Sequence, residues 1–514
     1  MKELYQIRKR KIYQNQKIDK VLEPLYIERE ERVKMKLRNV FLGLLVLFLM
    51  LQPTQADELE HIMKSIKAAD IFELNEYLST PEMRGRLAGT EEYNKAAQWA
   101  EAKFKEWGLS PVYDDFLQPF GLSYNETHDS AFSLALPPTG KEAKPETLEM
   151  EMYKDYCPTL YSGFGEVEEE VVFLGFGITA KELDWDDYED RDVKGKVVAI
   201  LDGMPQVEGK DFSKYYPRPY KLQNAKEHEA GGLIIINRAV ISGYGTYQEG
   251  LPMVMVGNVV AEALFKHKGF DLHIIRALLR DGNPLRFTTG VRAKIKVTGI
   301  HHPNAFTSNV VGMIEGSDPT LKEEYIIFGA HLDGVGSWPR LHPAASDNAS
   351  GSAVVMKLAH AFSQLKSRPK RSIVFALFGG EELGLLGSRY MAANLPDFPS
   401  KPILMLNHDM NGVGKGLRIA GGKTYPEFYE ILIKVNEKYS INDSISASEI
   451  SQKFGNSDYA PFVENGIPAY STWVTGGGGY GVHTEEDTIY VITPKIMEDI
   501  VRLFFIAGYL FADK

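Results

Sequence analysis

The chain has 514 residues, 44% hydrophobic and 25% charged, which is the composition of a globular protein able to bury large apolar cores. Its net charge of −11 at pH 7 opposes binding to nucleic acid and to anionic membrane surfaces, and no basic run with interleaved aromatic residues offsets it. Cys157 is its one cysteine, so intramolecular disulfides and cysteine-based zinc sites are excluded.

The amino-terminal region has the order of an export signal. Basic residues precede an apolar run at 40–51, and small residues at 54–56 follow it. The run is shorter than the about 20 residues that span a bilayer. We therefore predict a signal peptide at 35–56, a periplasmic or secreted product and no stable membrane insertion after cleavage, with an uncleaved anchor as the alternative. Residues 1–34 are polar, and we expect either an extension ahead of the true start at Met35 or a disordered tail.

The residues after the signal are predicted to form packing helices. A helical pattern covers 58–78 and is broken by Pro81. A short run at 84–90 ends in Thr90, a suitable N-cap for a helix with two glutamates in its first turn. This helix has apolar residues at helical spacing and ends at Gly108. We assign it no chemistry.

A β-rich pattern begins near residue 156. Its strands are short, helices are few, and no histidines and acids cluster at the spacing of metal ligands. The acidic stretch at 182–192 is predicted to be a solvated loop. We expect a separate module that acts as a lid or an interaction surface. Its predicted elements are strands at 171–176, 196–201, 233–236 and 253–256 and a helix at 221–230.

From about residue 291, strands alternate with helices. One helix follows Asp347, and the last begins at Thr493 and Pro494, an N-cap followed by a proline in the first helical position. This alternation predicts an α/β fold with a mostly parallel sheet covered by helices on both faces. Such sheets bind ligands beyond the carboxyl ends of their strands. The predicted strands lie at 309–314, 324–328, 372–378, 402–407 and 469–473.

Candidate metal ligands stand at the ends of these apolar runs. Each of them alone would more often be a structural residue, but together they predict a metal site. Imidazole and carboxylate are the ligands expected of zinc in a hydrolase, and one catalytic zinc needs three protein ligands. The larger set suits two Zn²⁺ ions per chain, each with its own histidine and carboxylate and sharing a bridging carboxylate. The candidates are His331, Asp347, Glu382, Asp409 and His483.

Two further carboxylates have predicted roles. Asp333 lies two residues after His331 and points the same way on an extended chain, so it could accept the second ring N–H of that histidine. Glu381 and Glu382 are adjacent and, on an extended chain, cannot both face one metal, so one is predicted to be a ligand and the other a general base. The remaining histidines considered are predicted to be structural, with His408 facing away from Asp409; they are His301, His302, His342 and His408.

This spaced set resembles the co-catalytic zinc aminopeptidases of the M28 type that carry an inserted protease-associated (PA) domain. Residues 84–90 more weakly resemble the opening of bacterial members. The resemblance implies a zinc-exopeptidase domain at 57–155 and 290–514, interrupted by a β-rich PA-like module at 156–289. The matching segments are 330–333, 346–351, 378–388, 407–410 and 483–488.

The resemblance also implies a role for each candidate. Glu381 would be the general base that activates a metal-bound water, and Asp333 would orient His331. The peptide bond between Asp347 and Asn348 is expected to be cis. Ser457 and Asp458 resemble a segment that supports the site in the family. The implied zinc ligands are His331 with Asp409 for one ion, Glu382 with His483 for the other, and Asp347 between them.

One position departs from the family pattern. Many members have a tyrosine directly before the last zinc histidine, where it helps to hold the oxyanion, and here that residue is Val482. Tyr480 stands two residues earlier, after a run of glycines, and is predicted to substitute for it.

The predicted function is an exported dizinc exopeptidase that hydrolyses N-terminal residues from peptides through a metal-bridging hydroxide. The nearest alternative is a carboxypeptidase or dipeptidase on the same scaffold. A non-catalytic binding protein is opposed by the complete ligand set. A glutaminyl-cyclase-like acyltransferase with one zinc is opposed by the second-metal ligands, His331 and Asp409.

Overall fold

The computed structural model describes residues 1–11, 14, 34–36, 38, 55–138, 146–238, 240, 247–397, 401–451, 455–477 and 481–514. These residues form two units, 1–61 and 62–514, and residues 2–11 of the first unit are helical. The predicted extension and signal peptide fall largely outside the described residues. Within the described part of the chain, none of the helices combines the length and apolar character that crossing a membrane requires.

The helices that the structure describes between residue 55 and the carboxyl terminus are numbered in chain order. They are α1 (Gln55–Ser65), α2 (Ala68–Leu78), α3 (Glu91–Glu106), α4 (Arg218–Glu227), α5 (Asn258–Phe265), α6 (Leu272–Arg280), α7 (Ser350–Ser363), α8 (Leu386–Ala393), α9 (Pro426–Tyr439), α10 (Tyr459–Glu464) and α11 (Pro494–Ala512).

Most strands belong to one 15-stranded sheet, and β6 pairs with β7 separately. The main path of the sheet runs β16-β15-β17-β14-β12-β13-β11-β5-β8-β9-β10-β4. The strands are β1 (Ser110–Pro111), β2 (Leu117–Leu136), β3 (Glu146–Glu149), β4 (Tyr156–Pro158), β5 (Gly165–Leu174), β6 (Thr179–Ala180), β7 (Trp185–Asp186), β8 (Val197–Leu201), β9 (Gly232–Ile236), β10 (Met253–Val256), β11 (Arg286–Ile314), β12 (Tyr325–His331), β13 (Ser372–Phe378), β14 (Pro402–His408), β15 (Gly416–Ala420), β16 (Ile445–Ser448) and β17 (Ala469–Thr475).

The strands that carry the candidate ligands are parallel, as predicted. β12 lies between β13 and β14, and β17 follows β14 in the same direction. Antiparallel neighbours flank these four strands, with β11 beside β13 and β15 beside β17. One face packs on α8 and α10 through residues such as Met391 and Phe462. Phe328 on the opposite face packs on Phe362 of α7, which contacts Phe505 of α11. The predicted fold class, with helices on both faces, is confirmed.

A long antiparallel ribbon joins the two halves of the sheet. β2 and β11 pair from Leu117 opposite Val310 to Ala135 opposite Arg292. The first part of β11 also pairs with β5, and its last part with β13, so one strand runs through both halves. The predicted module boundary at residue 289 therefore falls inside a continuous strand. The module itself has parallel strands β5, β8, β9 and β10 and contains the helices α4, α5 and α6.

The single helix predicted at 58–78 is corrected to two helices, α1 and α2. Lys67 between them is extended, with φ −120° and ψ 141°. Side chains of α11 capture the backbone groups freed at the break, because Glu498 accepts from the Ala68 N–H at 2.7 Å and Arg502 donates to the Ile66 carbonyl at 2.8 Å. A contact from the other end of the chain thus overrides a continuous helical pattern.

The two predicted N-caps differ in outcome. Thr90 is the N-cap of α3, and its hydroxyl accepts from the Tyr93 N–H at 3.3 Å, as predicted. Thr493 is the N-cap residue of α11 and is followed by Pro494, as predicted, but its side chain makes no capping hydrogen bond. The Thr493 N–H instead donates to the Gly412 carbonyl at 2.7 Å, and Pro494 starts the helix.

Candidate metal centre

The candidate ligands meet because neighbouring parallel strands end at one edge of the sheet. His331 is the last residue of β12 and is in register with Phe378, the last residue of β13. Glu381 and Glu382 follow β13 within one turn, and Asp409 directly follows β14. Asp347 lies just before α7, and His483 lies in the loop before α11. The sequence prediction that these groups converge at the strand ends agrees with this placement.

Two sets of donor atoms share Asp347. The Nε2 atom of His331 lies 3.2 Å from Asp347 Oδ1 and 3.4 Å from Asp409 Oδ1. The Nε2 atom of His483 lies 3.2 Å from Asp347 Oδ2 and 2.9 Å from Glu382 Oε2. Asp347 therefore turns one carboxylate oxygen toward each histidine, which is the arrangement a bridging ligand requires.

The backbone around Asp347 is held by the carboxylate of Asp487. Asp487 Oδ1 accepts from the Ser346 N–H at 2.7 Å, and Oδ2 accepts from the Asp347 N–H at 3.0 Å. The peptide bond between Asp347 and Asn348 is cis, as expected. Because Asp487 follows His483 in the same loop, these bonds fix the bridging carboxylate relative to the second histidine.

Asp409 is held by side chains from neighbouring elements. Its Oδ2 accepts from the Ser457 hydroxyl at 2.5 Å, and Ser457 in turn accepts from Asn407 at 2.7 Å. Asp458 beside it is fully buried, its carboxylate oxygens have no hydrogen-bond partner among the described residues, and burial raises its pKa to about 7. The segment predicted to support the site is therefore adjacent to it.

Asp333 organises the two glutamates rather than binding His331 directly. Its carboxylate oxygens accept from the N–H groups of Glu381 at 3.2 Å and Glu382 at 3.3 Å. The carboxylate is 3.8 Å from His331 Nδ1, beyond hydrogen-bond distance, so the predicted direct bond is not formed. The backbone carbonyl of Asp333 instead lies 3.2 Å from that nitrogen. Donation to this carbonyl places the proton on Nδ1 and leaves Nε2 free to bind a metal.

Burial and mutual charge shift the pKa values of the cluster. Burial alone would lower the pKa of His331, but Glu381 and the carboxylates at its Nε2 atom raise it well above its usual value. Burial would likewise lower the pKa of His483, and Glu382 and Asp347 raise it well above normal. Burial raises the pKa of Glu381 well above that of an ordinary glutamate, and it also raises the pKa of Glu382.

The donor chemistry fits zinc. Each set combines one imidazole with carboxylate oxygens, and the donor atoms of His331, Asp347 and Asp409 lie within 4.8 Å of one another, as do those of Asp347, Glu382 and His483. Glu382 Oε1 is buried without a hydrogen-bond partner in the described part of the chain, as expected of an atom that a cation would satisfy. A zinc-binding cluster is thus supported.

The other histidines and Tyr480 were also assigned from the sequence. His408 is buried against Phe504, its Nδ1 lies 3.0 Å from Asn411 Oδ1, and burial lowers its pKa to about 4, so its structural assignment agrees with the packing. His342 is buried, and burial lowers its pKa to about 4. His301 and His302 lie on β11, in the ribbon. Tyr480 lies outside the described residues.

Sequence reasoning gave no role to Arg86 and Asp487, and both contact the site. Arg86 is fully buried and donates to backbone carbonyls beside His331 and before Asp347. Asp487 lies in the segment at 483–488 that carries the family resemblance, and Arg86 lies in the segment at 84–90. Those two segments were the signals available in the sequence.

The chain is similar to a known protein family and to individual proteins. Residues 309–506, which contain all five candidate ligands, match Peptidase family M28. This match confirms the predicted resemblance to the family and the predicted enzyme class, a peptidase.

The similarity to individual relatives extends beyond residues 309–506. A probable glutamate carboxypeptidase of Arthroderma benhamiae is 25% identical over 79% of this chain, which spans 64% of that relative's length. An aminopeptidase of Pseudomonas aeruginosa is 26% identical, and the similarity covers 82% of this chain and 70% of that aminopeptidase. The solved structure of the aminopeptidase from Aneurinibacillus sp. strain AM-1 matches this chain with a TM-score of 0.62 at 24% identity. The match covers 87% of this chain and 94% of that aminopeptidase, and it shows a shared fold.

Proposed function

We propose that the chain is an exported dizinc aminopeptidase that releases N-terminal residues from peptides. The family match supports an exopeptidase, and the name of the Pseudomonas relative supports the amino-terminal specificity. In this proposal His331, Asp347 and Asp409 hold one zinc ion, and the other is held by Asp347, Glu382 and His483. Export rests on the signal-peptide pattern at 35–56.

The observation that carries the amino-terminal specificity is the excess of acid around the site. Most of the carboxylates there are buried, and Asp409 is nearly so. Arg86 is buried, and its side-chain N–H groups donate to backbone carbonyls. At the rim, Arg84 donates to Ser337 at 3.1 Å, and Arg340 pairs with Glu485 at 3.2 Å. The carboxylates are Asp333, Asp347, Glu381, Glu382, Asp409, Asp458 and Asp487.

Such a site attracts a cation and repels an anion. Two Zn²⁺ ions would offset part of the negative charge, and the protonated amino terminus of a peptide complements the remainder. A carboxypeptidase needs a cation for the terminal carboxylate, and in the described part of the site each arginine is already engaged. The charge balance therefore favours an aminopeptidase over a carboxypeptidase.

The chemistry of peptide hydrolysis can be divided among these residues. Zinc, when bound, polarises the scissile carbonyl and acidifies water. Glu381 is buried beside His331 and Glu382, and its raised pKa suits a group that takes a proton from the attacking water and returns it to the leaving amine. Asp333 fixes Glu381 and Glu382 through their N–H groups, so base and ligand keep a constant separation.

A set of matched peptides tests the specificity. The purified zinc-loaded protein would be given one peptide with a free or acetylated amino terminus and a free or amidated carboxyl terminus. We expect acetylation to abolish cleavage and amidation to leave it unchanged. The reverse pattern would identify a carboxypeptidase, and a requirement for both free termini would identify a dipeptidase.

The metal content and the export signal have their own tests. Metal analysis should give two zinc ions per chain, and Asp347→Ala should lose both, because Asp347 contributes to each donor set. A single bound zinc would favour the acyltransferase, which would be assayed on peptides beginning with glutamine.

Sequencing the mature protein should place its amino terminus near Asp57.

The residues at 156–289 are proposed to be a PA-like module. The ring of Tyr153, just before the module, makes an edge contact with His342 at a centroid separation of 5.1 Å, and the guanidinium of Arg340 lies over the same ring, 5.4 Å from its centroid. We infer that the module's entry segment forms part of the rim of the peptidase site.

A further inference from the structure

Arg86 is a fully buried arginine next to the metal centre. It ends the short helical segment Pro81–Arg86, which precedes the part of the chain that matches the family. A buried guanidinium is costly unless its donors are satisfied, so its partners indicate why it is there.

Backbone carbonyls from two ligand-bearing segments accept from Arg86. Its Nε donates to the Leu332 carbonyl at 2.9 Å, and Leu332 lies between His331 and Asp333. Its Nη1 donates to the Pro343 carbonyl at 3.1 Å, and Nη2 donates to the Ala344 carbonyl at 3.0 Å. Nη1 also donates to the Leu78 carbonyl at the end of α2. The guanidinium thus joins the end of β12 to the segment that leads into Asp347.

The backbone of the turn that carries Arg86 packs closely on the loop at 334–343. Gly85 has φ +68° and Arg86 has φ +49°, both left-handed. The Gly336 N–H donates to the Gly85 carbonyl at 3.1 Å. A Cβ atom on Gly85 would lie 2.4 Å from the carbonyl oxygens of Gly336 and His342, so only glycine fits there. The turn therefore holds Arg86 in one position against the loop at 334–343.

The charge of Arg86 is retained at neutral pH. Burial lowers its pKa to about 10, and nearby carboxylates, with Asp333 the largest contributor, keep it from falling further. In the described part of the chain Arg86 makes no ion pair, and the groups it contacts are neutral carbonyls. Its planar fork reaches several carbonyls at once, which the single ammonium group of a lysine cannot do.

We propose that Arg86 is a positioning residue for the metal centre, setting the distance between His331 and the shared carboxylate of Asp347. The inference rests on the ligand assignment of the proposed function. Its consequence is that zinc affinity depends on a residue that contacts neither zinc nor substrate. A clamp of this kind lowers the cost of assembling the ligands when the ion binds.

The test compares Arg86→Lys and Arg86→Met with Arg84→Met. Arg84 belongs to the same turn, but its side chain is 48% exposed. Zinc dissociation constants would be measured by competition with a chelator, together with urea unfolding in excess chelator. We expect both Arg86 variants to bind zinc at least about tenfold more weakly, as outer-shell substitutions commonly do, and Arg84→Met to bind within about twofold of the unchanged chain.

Zinc affinity separates positioning from a general role in stability. A purely structural arginine would lower the stability of the chelator-treated variants and leave the affinity of the folded protein unchanged, and that result would overturn the proposal. If Arg86→Lys folds only with zinc, the zinc concentration for half-maximal folding is the readout and should rise. Failure to fold at any zinc concentration would also overturn it. Absence of zinc from the unchanged chain would refute the ligand assignment instead.

Discussion

Asp347 is the residue on which both donor sets depend. Its position is controlled by groups that bind its backbone, because Asp487 holds the N–H groups of Ser346 and Asp347. Asn348 ties the same segment to the end of β14, since it donates to the His408 carbonyl at 3.0 Å and accepts from the Met410 N–H at 3.1 Å. The spacing of the ligands is thus fixed by backbone contacts around them.

Asp487→Asn tests this control. An amide keeps one acceptor and turns its NH₂ group toward a backbone N–H, so one buried donor loses its partner, at a cost of about 1–3 kcal/mol. We expect a lower free energy of unfolding in chelator and weaker zinc binding, measured by urea titration with and without zinc. Glu485→Gln in the same loop is the control, because that side chain is 54% exposed. Equal zinc affinity in Asp487→Asn and the unchanged chain would contradict the prediction.

Glu381→Ala separates chemistry from metal binding. Glu381 is placed outside both proposed ligand sets, so zinc content should be unchanged while kcat falls by about 10²–10⁴-fold with loss of the general base. Glu464→Ala, which removes an exposed ion pair with Arg389, is the control and should retain activity. Full activity of Glu381→Ala would refute the assignment.

Asp187 in the module makes stability depend on pH. Burial raises its pKa from 3.8 to about 6, although its Oδ2 accepts from the Phe176 N–H at 3.1 Å and the Ile178 N–H at 2.9 Å. Because the folded-state pKa lies above the unfolded value, this contribution is fully present below about pH 4 and is lost as the pH rises through about 6, by roughly 3 kcal/mol at most.

Urea unfolding at pH 4 and pH 7 measures this contribution. The difference in unfolding free energy between Asp187→Asn and the unchanged chain should move in favour of the variant as the pH rises. Asp190→Asn, on an exposed residue nearby, should show no such change. A pH-independent difference for Asp187→Asn would show that the carboxyl group does not titrate in this range.

At the scale of elements, the strand ends that carry the ligands could be predicted from the sequence. The distant side chains that hold the surrounding backbone could not. Apolar runs reveal strands, and polar residues just beyond them reveal the edge where ligands meet, so His331, Asp409 and the two glutamates could be assigned from the sequence. Arg86 binds backbone carbonyls, which every residue possesses, so no residue pattern marks its partners. The break between α1 and α2 depends on Glu498 and Arg502 in α11, far beyond any local window.

The packing of α11 on the sheet makes a prediction at this scale. A Cβ atom on Gly508 would lie 2.7 Å from Cζ of Phe328, whose ring packs against both Phe362 and Phe375. Overpacking of this kind costs about 1–3 kcal/mol, against a gain of up to about 1 kcal/mol in helix propensity. Gly508→Ala should therefore lower the unfolding free energy by about 1–2 kcal/mol.

Thermal and urea unfolding would measure the effect of Gly508→Ala. Leu510→Ala in the same helix is the control, because Leu510 is 43% exposed and its truncation should change stability by less than about 0.5 kcal/mol. A variant at Gly508 as stable as the unchanged chain would show that Phe328 and its neighbours can move aside.

At the scale of the molecule, the catalytic half is assembled from both ends of the chain. Asp70 in α2 pairs with the buried Lys357 of α7 at 2.7 Å, and Arg86 reaches the loops of the metal centre. The segment matching the family begins at residue 309, so Asp70 and Arg86, which contact it, lie outside it. Expression of residues 309–506 alone should therefore give a protein without stable zinc binding, measurable by metal analysis after gel filtration.

The ribbon of β2 and β11 has a consequence for the order in which the chain folds during synthesis. The two apolar clusters of the module draw their residues from 132–297, whereas α7 and α11, on which α2 and α3 pack, are made after the module. Because domains fold as units while the chain emerges, the insert can become native before the domain that contains it. Ribosome-bound chains long enough for β11 to have left the ribosome should already hold a protease-resistant module, while the first helices remain open to cleavage until the final helix has also left it.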